Sequence, residues 1–402
     1  MLNILRSFKK RLKHLDIGII ISFIILSVIG VIMVYSASMV PASKGSLTNG
    51  TPIEANYFMK RQFIFFILSV CIILFISMYF NIKMLRNAST QKFLIVGTFA
   101  LLILTLLIGK DVNGSRNWIN LGLFSLQSSE FLKLVAIFYL SYILDKKLTN
   151  NRDYKLKNIV PPLGVLGVGL ALVLMQGDLG GTLLTVAIIV AILMYSDIKN
   201  KIKIQILTIT SIPVVLYIFY TLVFDSKNLY RMKRIKVVLD PFKYENGDGY
   251  QLTNALVSIS NGGVFGRGLG NGILKLGYLP EPHTDFIFTV ISEELGLIGV
   301  LLILLMYGFI ILKGFIYANK TRNHFYKLIC VGVVSYLFMQ VFVNIGGVSG
   351  LIPLTGVTLP LLSYGGSSML SISIALGILL AVIREIKKES KVYGKYMEKS
   401  IE

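Results

Sequence analysis

The segment Glu281-Pro282-His283-Thr284-Asp285 places two carboxylates, an imidazole and a hydroxyl directly before a long apolar stretch. The sequence before it is rich in Arg and Lys, and such cations suit the phosphates of a diphosphate lipid headgroup. A carboxylate at the edge of that basic loop can take a proton from an attacking hydroxyl. Glycosyl transfer from a lipid diphosphate fits this pattern, although an Asp at a helix N-terminus is most often a cap and the spacing alone favours that role for Asp285.

One carboxylate is enough for that reaction, because the leaving diphosphate needs cations rather than a proton donor. An inverting glycosidase, by contrast, uses two carboxyl groups. A helix N-terminus lowers the basicity of a carboxylate such as Asp285 and burial raises it, and the sequence does not rank the two effects.

Other ionisable residues lie within or beside apolar stretches, where each costs roughly 2.5–3.5 kcal/mol at a helix centre unless it is paired or hydrated. Glu130 and Lys133 are three residues apart on one helical face, which favours a structural pair and a polar cavity lining equally. Glu293 and Glu294 would lie about 12–14 Å along a helix that begins at Asp285, packed against a partner on another helix. Asp16 is expected to cap the first helix.

Apolar helices must position these groups, because 54% of the 402 residues are hydrophobic and only 15% are charged. A soluble domain cannot bury that content, and a membrane-spanning helix needs about 20 apolar residues. The sequence predicts an all-α polytopic membrane protein with about ten spans. They run near Ile17–Val40, Gln62–Phe80, Phe93–Gly109, Phe131–Leu144, Ile159–Met175, Thr182–Ser196, Ile204–Phe224, Phe286–Leu312, Leu328–Asn344 and Met369–Ile383.

Ten spans place both termini on one side of the membrane, and the loops on that side carry 26 of the 40 Lys and Arg residues. The positive-inside rule makes that side cytoplasmic. We therefore predict a cytoplasmic segment over 1–16, a membrane domain over 17–383 and a cytoplasmic tail over 384–402. A large extracellular loop over 225–284 would separate the seventh and eighth helices.

Three other classes of function or site are disfavoured. The net charge of +20 is explained mostly by cytoplasmic flanks that meet anionic lipid, so nucleic acid is not an expected partner. The Gly-rich stretch 261–272 fits neither a dinucleotide fingerprint nor a Walker A loop, which argues against ATP-driven function. Cys71 and Cys330 each fall within an apolar span and imply no disulfide framework.

Several motifs together resemble the SEDS family of peptidoglycan polymerases, which includes FtsW, RodA and SpoVE. The signature is Tyr278 to Phe288 followed by Glu293-Glu294-Leu295-Gly296, and 116–119, 127–130, 176–180 and 353–368 agree in order and spacing. Ser128 and Gly177 stand where the family usually has proline. The resemblance covers nearly the whole chain.

The resemblance implies a ten-helix SEDS fold and a peptidoglycan glycosyltransferase that works on the outer face of the bacterial cytoplasmic membrane. The lipid-linked glycan strand would pass to the GlcNAc 4-hydroxyl of lipid II with inversion, and Asp285 matches the family's essential carboxylate. Residues expected to bind substrate are Arg116, Glu130, Lys133, Asp178, Arg234, Glu281, His283, Thr284 and Ser367.

The residues at 278–282 and 361–364 resemble those of the FtsW division branch more than those of the RodA elongation branch. A sporulation role is a further alternative. The resemblance implies a class B penicillin-binding protein and other division proteins as partners, a septal location, and Mg²⁺ or Mn²⁺ as a possible cofactor. A lipid II flippase and a non-catalytic scaffold are competing functions, since intramembrane charges and broken helices also occur in transporters.

Overall fold

Apolar helices make up most of the protein, whose computed structural model describes residues 15–47, 50–112, 115–122, 125–150, 156–208 and 236–399. Short 3₁₀ turns lie at Ile82–Arg86, Phe242–Tyr244 and Leu274–Leu276, and residues 200–208 are helical. The longer helices are α1 (Ile17–Ser43), α2 (Tyr57–Tyr79), α3 (Ala88–Ile108), α4 (Ser128–Asn150), α5 (Leu156–Met175), α6 (Leu179–Tyr195), α7 (Tyr250–Gly262), α8 (Ile287–Lys320), α9 (His324–Val348) and α10 (Gly366–Lys399).

Seven helices in the described ranges are long and apolar enough to cross a membrane, namely α1, α2, α3, α5, α8, α9 and α10. The predicted spans at 131–144 and 182–196 correspond to α4, which carries Glu130 and Lys133, and to the 17-residue α6. Of the predicted span 204–224, only residues 204–208 are among the described residues. The multi-pass helical architecture is thus confirmed, while the count of ten and the domain boundaries remain predictions.

A small antiparallel sheet joins α3 to α4, so the prediction of helices alone was incomplete. Its strands are β1 (Lys110–Val112), β2 (Ser115–Asn120) and β3 (Ser125–Gln127), in the order β1-β2-β3. The register pairs Trp118 with Lys110 on one side and with Gln127 on the other. The sheet therefore leads the chain directly into the first turn of α4.

The buried centre of the bundle is formed by α9 and α10. Of the residues in their most apolar stretches, 72% and 83% are buried, compared with 22% in α3. α10 packs along α2, and α9 lies against α8 and α6. Lipid is the expected solvent for exposed apolar side chains such as Phe93 and Leu107 on α3.

The predicted span 286–312 corresponds to α8, and the helix is kinked at Gly296, whose φ is 65°. The break frees backbone groups, which pair with the Gly-rich loop after α7. Leu297 and Ile298 donate their N–H groups to the carbonyls of Gly263 and Val264, at 3.0 and 3.2 Å. The loop returns two N–H groups to the carbonyls at 293 and 294, which satisfies the backbone at the break.

Candidate functional site

Asp285 ends the 281–285 loop one residue before the N-cap of α8. That cap is Phe286, and no side chain caps the helix. Within the described part of the chain, no hydrogen bond or ion pair reaches the Asp285 carboxylate. Its Oδ2 lies 3.5 Å from the position that a Cβ on Gly356 would occupy. Asp285 is therefore an available carboxylate rather than a helix cap.

Burial raises the pKa of Asp285 from its usual 3.8 to about 6, and the nearby Glu281 carboxylate adds to the rise. The desolvation of Asp285 therefore outweighs the pull of the helix N-terminus. A carboxylate with a pKa near 6 is largely ionised at neutral pH, yet it is more basic than an ordinary aspartate. These properties suit a general base.

Three hydrogen bonds fix the backbone that carries Asp285. Asn344 on α9 donates its Nδ2 to the Asp285 carbonyl at 2.9 Å. Ser363 donates its hydroxyl to the Thr284 carbonyl at 2.7 Å, and Tyr364 donates its N–H to the His283 carbonyl at 2.8 Å. The loop is thus held by α9 and by the non-helical segment 353–365.

Two non-glycine residues near this loop have left-handed backbone, Glu281 with φ 50° and Leu361 with φ 66°. Such conformations cost about 1–3 kcal/mol each and are concentrated at functional sites. The Pro360 carbonyl beside Leu361 accepts a hydrogen bond from the buried Tyr307 hydroxyl, which helps to hold the strained turn. The strain therefore supports a functional role for the 281–285 loop.

His283 is buried and supports the loop by packing. Its ring lies 4.3 Å from Phe58 and 5.5 Å from Tyr364, measured between centroids. Burial lowers the pKa of His283 to about 4, so it is neutral at pH 7. Thr284 donates its hydroxyl to the Glu281 carbonyl at 3.1 Å and to the exposed Glu281 carboxylate at 3.3 Å. The predicted residues of this loop are thus brought together around Asp285.

Arg61, a cation that the motifs did not single out, lies beside the same cluster. Its guanidinium stacks 4.5 Å from the centroid of Tyr57. Its positive charge also acts on the side chain of Tyr364, which packs on His283. A cation at the start of an apolar helix, in Lys60-Arg61, was the signal available in the sequence.

Glu130 and Lys133 form a buried ion pair at 2.6 Å, so the structural pairing of the two residues is confirmed. The second Glu130 oxygen accepts hydrogen bonds from Tyr336 at 2.6 Å and from Ser371 at 2.9 Å. The Lys133 ammonium also lies 4.9 Å from the Tyr336 ring centroid. α4, α9 and α10 thus converge on one satisfied polar cluster.

A polar stripe on α9 connects that cluster to Asp285. Tyr336, Gln340 and Asn344 are spaced by four residues, so they lie on one face over about 12 Å of helix. Gln340 donates to Ser368 at 3.0 Å and to the Thr358 carbonyl at 3.2 Å. This stripe was not predicted from the sequence, although polar residues at that spacing in an apolar helix were a detectable signal.

Asp178 caps α6 and holds the start of α4. One carboxylate oxygen accepts the Gly181 N–H at 2.7 Å. The other accepts the Ser129 hydroxyl at 2.7 Å and the Gln127 side-chain amide at 3.0 Å. With both oxygens occupied, Asp178 anchors two helices.

The other sequence-predicted residues lie at and near the sheet. Ser367 donates to the Ser125 carbonyl at 2.8 Å and accepts the N–H of Gln127 at 3.0 Å, so it fastens β3 to α10. Arg116 is exposed on β2 and donates its backbone N–H to the carbonyl of residue 176 at 2.8 Å. Arg234 lies outside the described residues.

Glu293 and Glu294 anchor the loop between α7 and α8. Glu294 accepts hydrogen bonds from Lys275 at 2.5 Å and from Ser36 on α1 at 2.7 Å, and Lys275 and Glu294 are both fully buried. Glu293 accepts the backbone N–H groups of Ile273 and Leu274 at 3.1 and 3.3 Å. Ser258 on α7 also donates its hydroxyl to Glu293 at 3.2 Å, so the prediction of a partner on another helix is confirmed for both residues.

The donor groups near the 281–285 loop bear on the predicted Mg²⁺ or Mn²⁺. The described residues contain no group of three or more His, Cys, Asp and Glu side chains that could hold a metal ion. Mg²⁺ is nevertheless often bound by one or two carboxylates together with substrate phosphates. Asp285 and Glu281 are the two carboxylates of the 281–285 loop that would be available for such an arrangement.

Comparison with known sequences gives matches along almost the entire chain. Residues 17–388 match the family FTSW_RODA_SPOVE, described as "Cell cycle protein". A Bacillus subtilis (strain 168) protein named "Probable peptidoglycan glycosyltransferase FtsW" is 36% identical over 381 residues, covering 94% of this chain and 93% of the relative. "Stage V sporulation protein E" of the same strain is 38% identical over 373 residues, covering 92% and 97%.

Solved structures show the same fold. A chain from a peptidoglycan synthase complex, studied for the coordination of polymerization and crosslinking, is 25% identical with a TM-score of 0.69. The match covers 92% of this chain and 98% of that chain. The rod shape determining protein RodA of Thermus thermophilus is 24% identical, with a TM-score of 0.62 and coverage of 92% and 97%.

Proposed function

Because this chain belongs to the FtsW/RodA/SpoVE family, we propose that it is a peptidoglycan glycosyltransferase acting on lipid II. Its relatives with that name match over nearly their full length. The observation that carries the proposed chemistry is the Asp285 carboxylate. It is unpaired among the described residues, has a raised pKa, and lies on a loop held by neighbouring elements.

In the proposed reaction, Asp285 removes the proton from the GlcNAc 4-hydroxyl of lipid II. The hydroxyl oxygen attacks MurNAc C1 of the growing strand, a glycosidic bond forms with inversion, and the bond from C1 to the diphosphate breaks. The bond electrons leave with undecaprenyl diphosphate. Asp285 must then lose its proton before the next cycle, which a pKa near 6 permits at neutral pH.

The developing negative charge on the diphosphate requires cations. Arg61 is a described candidate, because its charge acts on Tyr364, whose ring packs on His283. Arg234, which matches a charged position of the family pattern, is the second candidate for this cation. A bound Mg²⁺ or Mn²⁺, held by Asp285, Glu281 and phosphate oxygens, would supply further neutralisation.

The deciding experiment uses the purified full-length protein with its transpeptidase partner and lipid II, without nucleotide. The wild type should form long glycan strands, and Asp285→Asn should lose at least 100-fold in rate. Glu245→Gln, at an exposed carboxylate between 236 and 250, is the matched control and should retain activity.

Polymerisation by Asp285→Asn would exclude Asp285 as the base, whereas lipid II translocation without polymerisation would favour a flippase. Assembly and complementation by Asp285→Asn would favour a scaffold.

Division is the proposed cellular role, at a septum in the bacterial cytoplasmic membrane, because several relatives are named FtsW. A sporulation role is the second candidate, favoured by the 38% identity to the stage V sporulation protein E. A depletion strain would separate the two, since loss of a division enzyme produces filaments during growth. Loss of a sporulation enzyme leaves growth intact and blocks spore formation.

A class B penicillin-binding protein is the proposed partner. The similar chain in a synthase complex is associated with both polymerization and crosslinking, and the crosslinking step requires a transpeptidase. Other division proteins are proposed as further partners. Co-purification with the transpeptidase, and a higher polymerisation rate in its presence, would support the pairing.

A further inference from the structure

A polar cavity of about 370 Å³ lies at the opposite end of α2 from Arg61. α2 ends there, α9 begins there, and α10 leaves the predicted membrane region. The lining includes the basic residues Lys83, Arg384 and Lys388 and one acidic residue, Glu385. The lining therefore carries a net charge of +2, counted as three cations and one anion.

Arg384 is the cation of this cavity whose position is fixed by hydrogen bonds. Its side chain is buried, and it donates Nη1 to the carbonyls of Ser77 and Met78, at 2.7 and 2.6 Å. It also donates Nη2 to the Phe80 carbonyl at 3.0 Å and Nε to Glu385 at 3.0 Å. A guanidinium has five N–H groups, so one Nη2 N–H has no partner in the described part of the chain.

The single carboxylate does not cancel the attraction for an anion. Glu385 is already paired with Arg384 at 3.0 Å and with Lys388 at 2.8 Å. Lys83 is exposed on the 3₁₀ turn directly after α2. A phosphate placed among these residues could be contacted by two ammonium groups and by the guanidinium.

An apolar approach leads to the cavity along α2. Phe75 and Tyr79 are 63% and 51% exposed, and their rings stack with centroids 5.8 Å apart. Tyr79 continues into the cavity lining, beside Phe80. A free phosphate ion would not use this surface, whereas the glycerol and acyl chains of a lipid would. Basic pockets between helices at the cytoplasmic side commonly bind anionic headgroups.

We propose that this cavity binds the phosphate headgroup of an anionic phospholipid through Lys83, Arg384 and Lys388, with the acyl chains along Phe75 and Tyr79. The site is remote in sequence and in the fold from the 281–285 loop. It is therefore independent of the glycosyl-transfer site, and its test does not depend on catalysis.

The test measures lipid binding to delipidated full-length protein in neutral detergent by native mass spectrometry. Phosphatidylglycerol should bind more tightly than phosphatidylcholine, and Lys83→Gln/Lys388→Gln should weaken phosphatidylglycerol binding by roughly 30-fold. The control Lys92→Gln/Lys201→Gln removes two exposed lysines away from the cavity and should bind as the wild type does. Arg384 is left intact because it holds the end of α2.

Equal binding by the cavity and control variants, or equal binding of the two lipids, would overturn the proposal. Binding of inorganic phosphate without binding of phosphatidylglycerol would show that the cavity binds a free phosphate ion and not a phospholipid headgroup. Thermal unfolding of each variant distinguishes lost binding from lost folding. Lys83→Gln alone, which leaves the Lys388–Glu385 pair intact, should still weaken binding several-fold.

Discussion

At the scale of single residues, Asp285, the proposed base, shows how its surroundings change the pKa of a carboxylate. It lies beside a helix N-terminus, which favours the ionised form, yet burial raises its pKa to about 6. Glu281 adds repulsion from the exposed side of the loop. The result is a group whose charge changes within the pH range in which a cell-surface enzyme works.

Polymerisation should therefore depend on the ionisation of Asp285. We expect kcat/KM to fall about tenfold per pH unit below pH 6 and to level off above pH 7, because only the carboxylate accepts a proton. The measurement is the initial rate with lipid II between pH 5 and 8. His283→Gln should leave the position of this limb unchanged, since the pKa of His283 is already about 4. A shift of the acidic part of the pH–rate profile in the His283→Gln variant would contradict the assignment of this ionisation to Asp285.

The same pKa shift has a consequence for stability. Because the folded pKa of Asp285 exceeds 3.8, its contribution to stability is fully present below pH 3.8 and is lost as the pH rises through about 6. Asp285→Asn should therefore stabilise the protein by roughly 1–3 kcal/mol at pH 8 and have little effect at pH 4. Thermal unfolding at both pH values measures this, and a destabilised variant at pH 8 would contradict it.

At the scale of elements, the loop between α7 and α8 is held by the kinked helix α8. Glu294 pairs with Lys275 in a fully buried contact, and Gly262 and Gly266 allow the backbones of α7 and α8 to approach closely. The loop that follows Lys275 leads within six residues to Glu281. The position of Asp285 thus depends on buried charges and on glycines that carry no catalytic group.

Removal of one member of the buried pair should be costly. We expect Lys275→Met to destabilise the protein by about 3–5 kcal/mol, because it leaves the Glu294 carboxylate buried without its cation. Lys275→Met/Glu294→Gln should recover much of that loss. The measurement is a double-mutant cycle on thermal unfolding. Additive effects of the two single changes would show that the pair is not coupled.

Gly262 provides a steric test of the α7–α8 contact. A Cβ at this position would lie 1.9 Å from the Ser292 carbonyl oxygen, which belongs to backbone and cannot move aside easily. Gly262→Ala should cost at least about 3 kcal/mol and lower the yield of folded protein. Gly308→Ala is the control, since nothing lies within 4 Å of its Cβ position, and it should be neutral or slightly stabilising. Equal yields of the two variants would disprove the close contact.

At the scale of the whole molecule, α9 and α10 form a buried centre surrounded by helices with exposed apolar faces. The polar stripe of α9 runs through this centre, from Tyr336 beside Glu130 to Asn344 beside Asp285. The 281–285 loop and the cavity at Arg384 lie at opposite ends of the bundle. The fold therefore separates the proposed reaction from the proposed lipid contact.

The proposed orientation places the termini in the cytoplasm and the 281–285 loop outside. A reporter that fluoresces only in the cytoplasm should be active at the C-terminus, and alkaline phosphatase should be active when inserted near Glu245. The reverse pattern would place Asp285 on the wrong side for a substrate presented outside. Growth of the fusion strains provides the control for folding.

Local patterns in the sequence were sufficient for the apolar helices and for the family, and they singled out Asp285 as the candidate base that remains a prediction. Continuous hydrophobicity and a short motif need no information from distant residues. The tertiary structure alone decided the break of α8 at Gly296, the role of Asp178 as an anchor, and the pKa of Asp285. Each of these depends on groups brought together by folding, as Ser36 and Glu294 are across 258 positions of the chain.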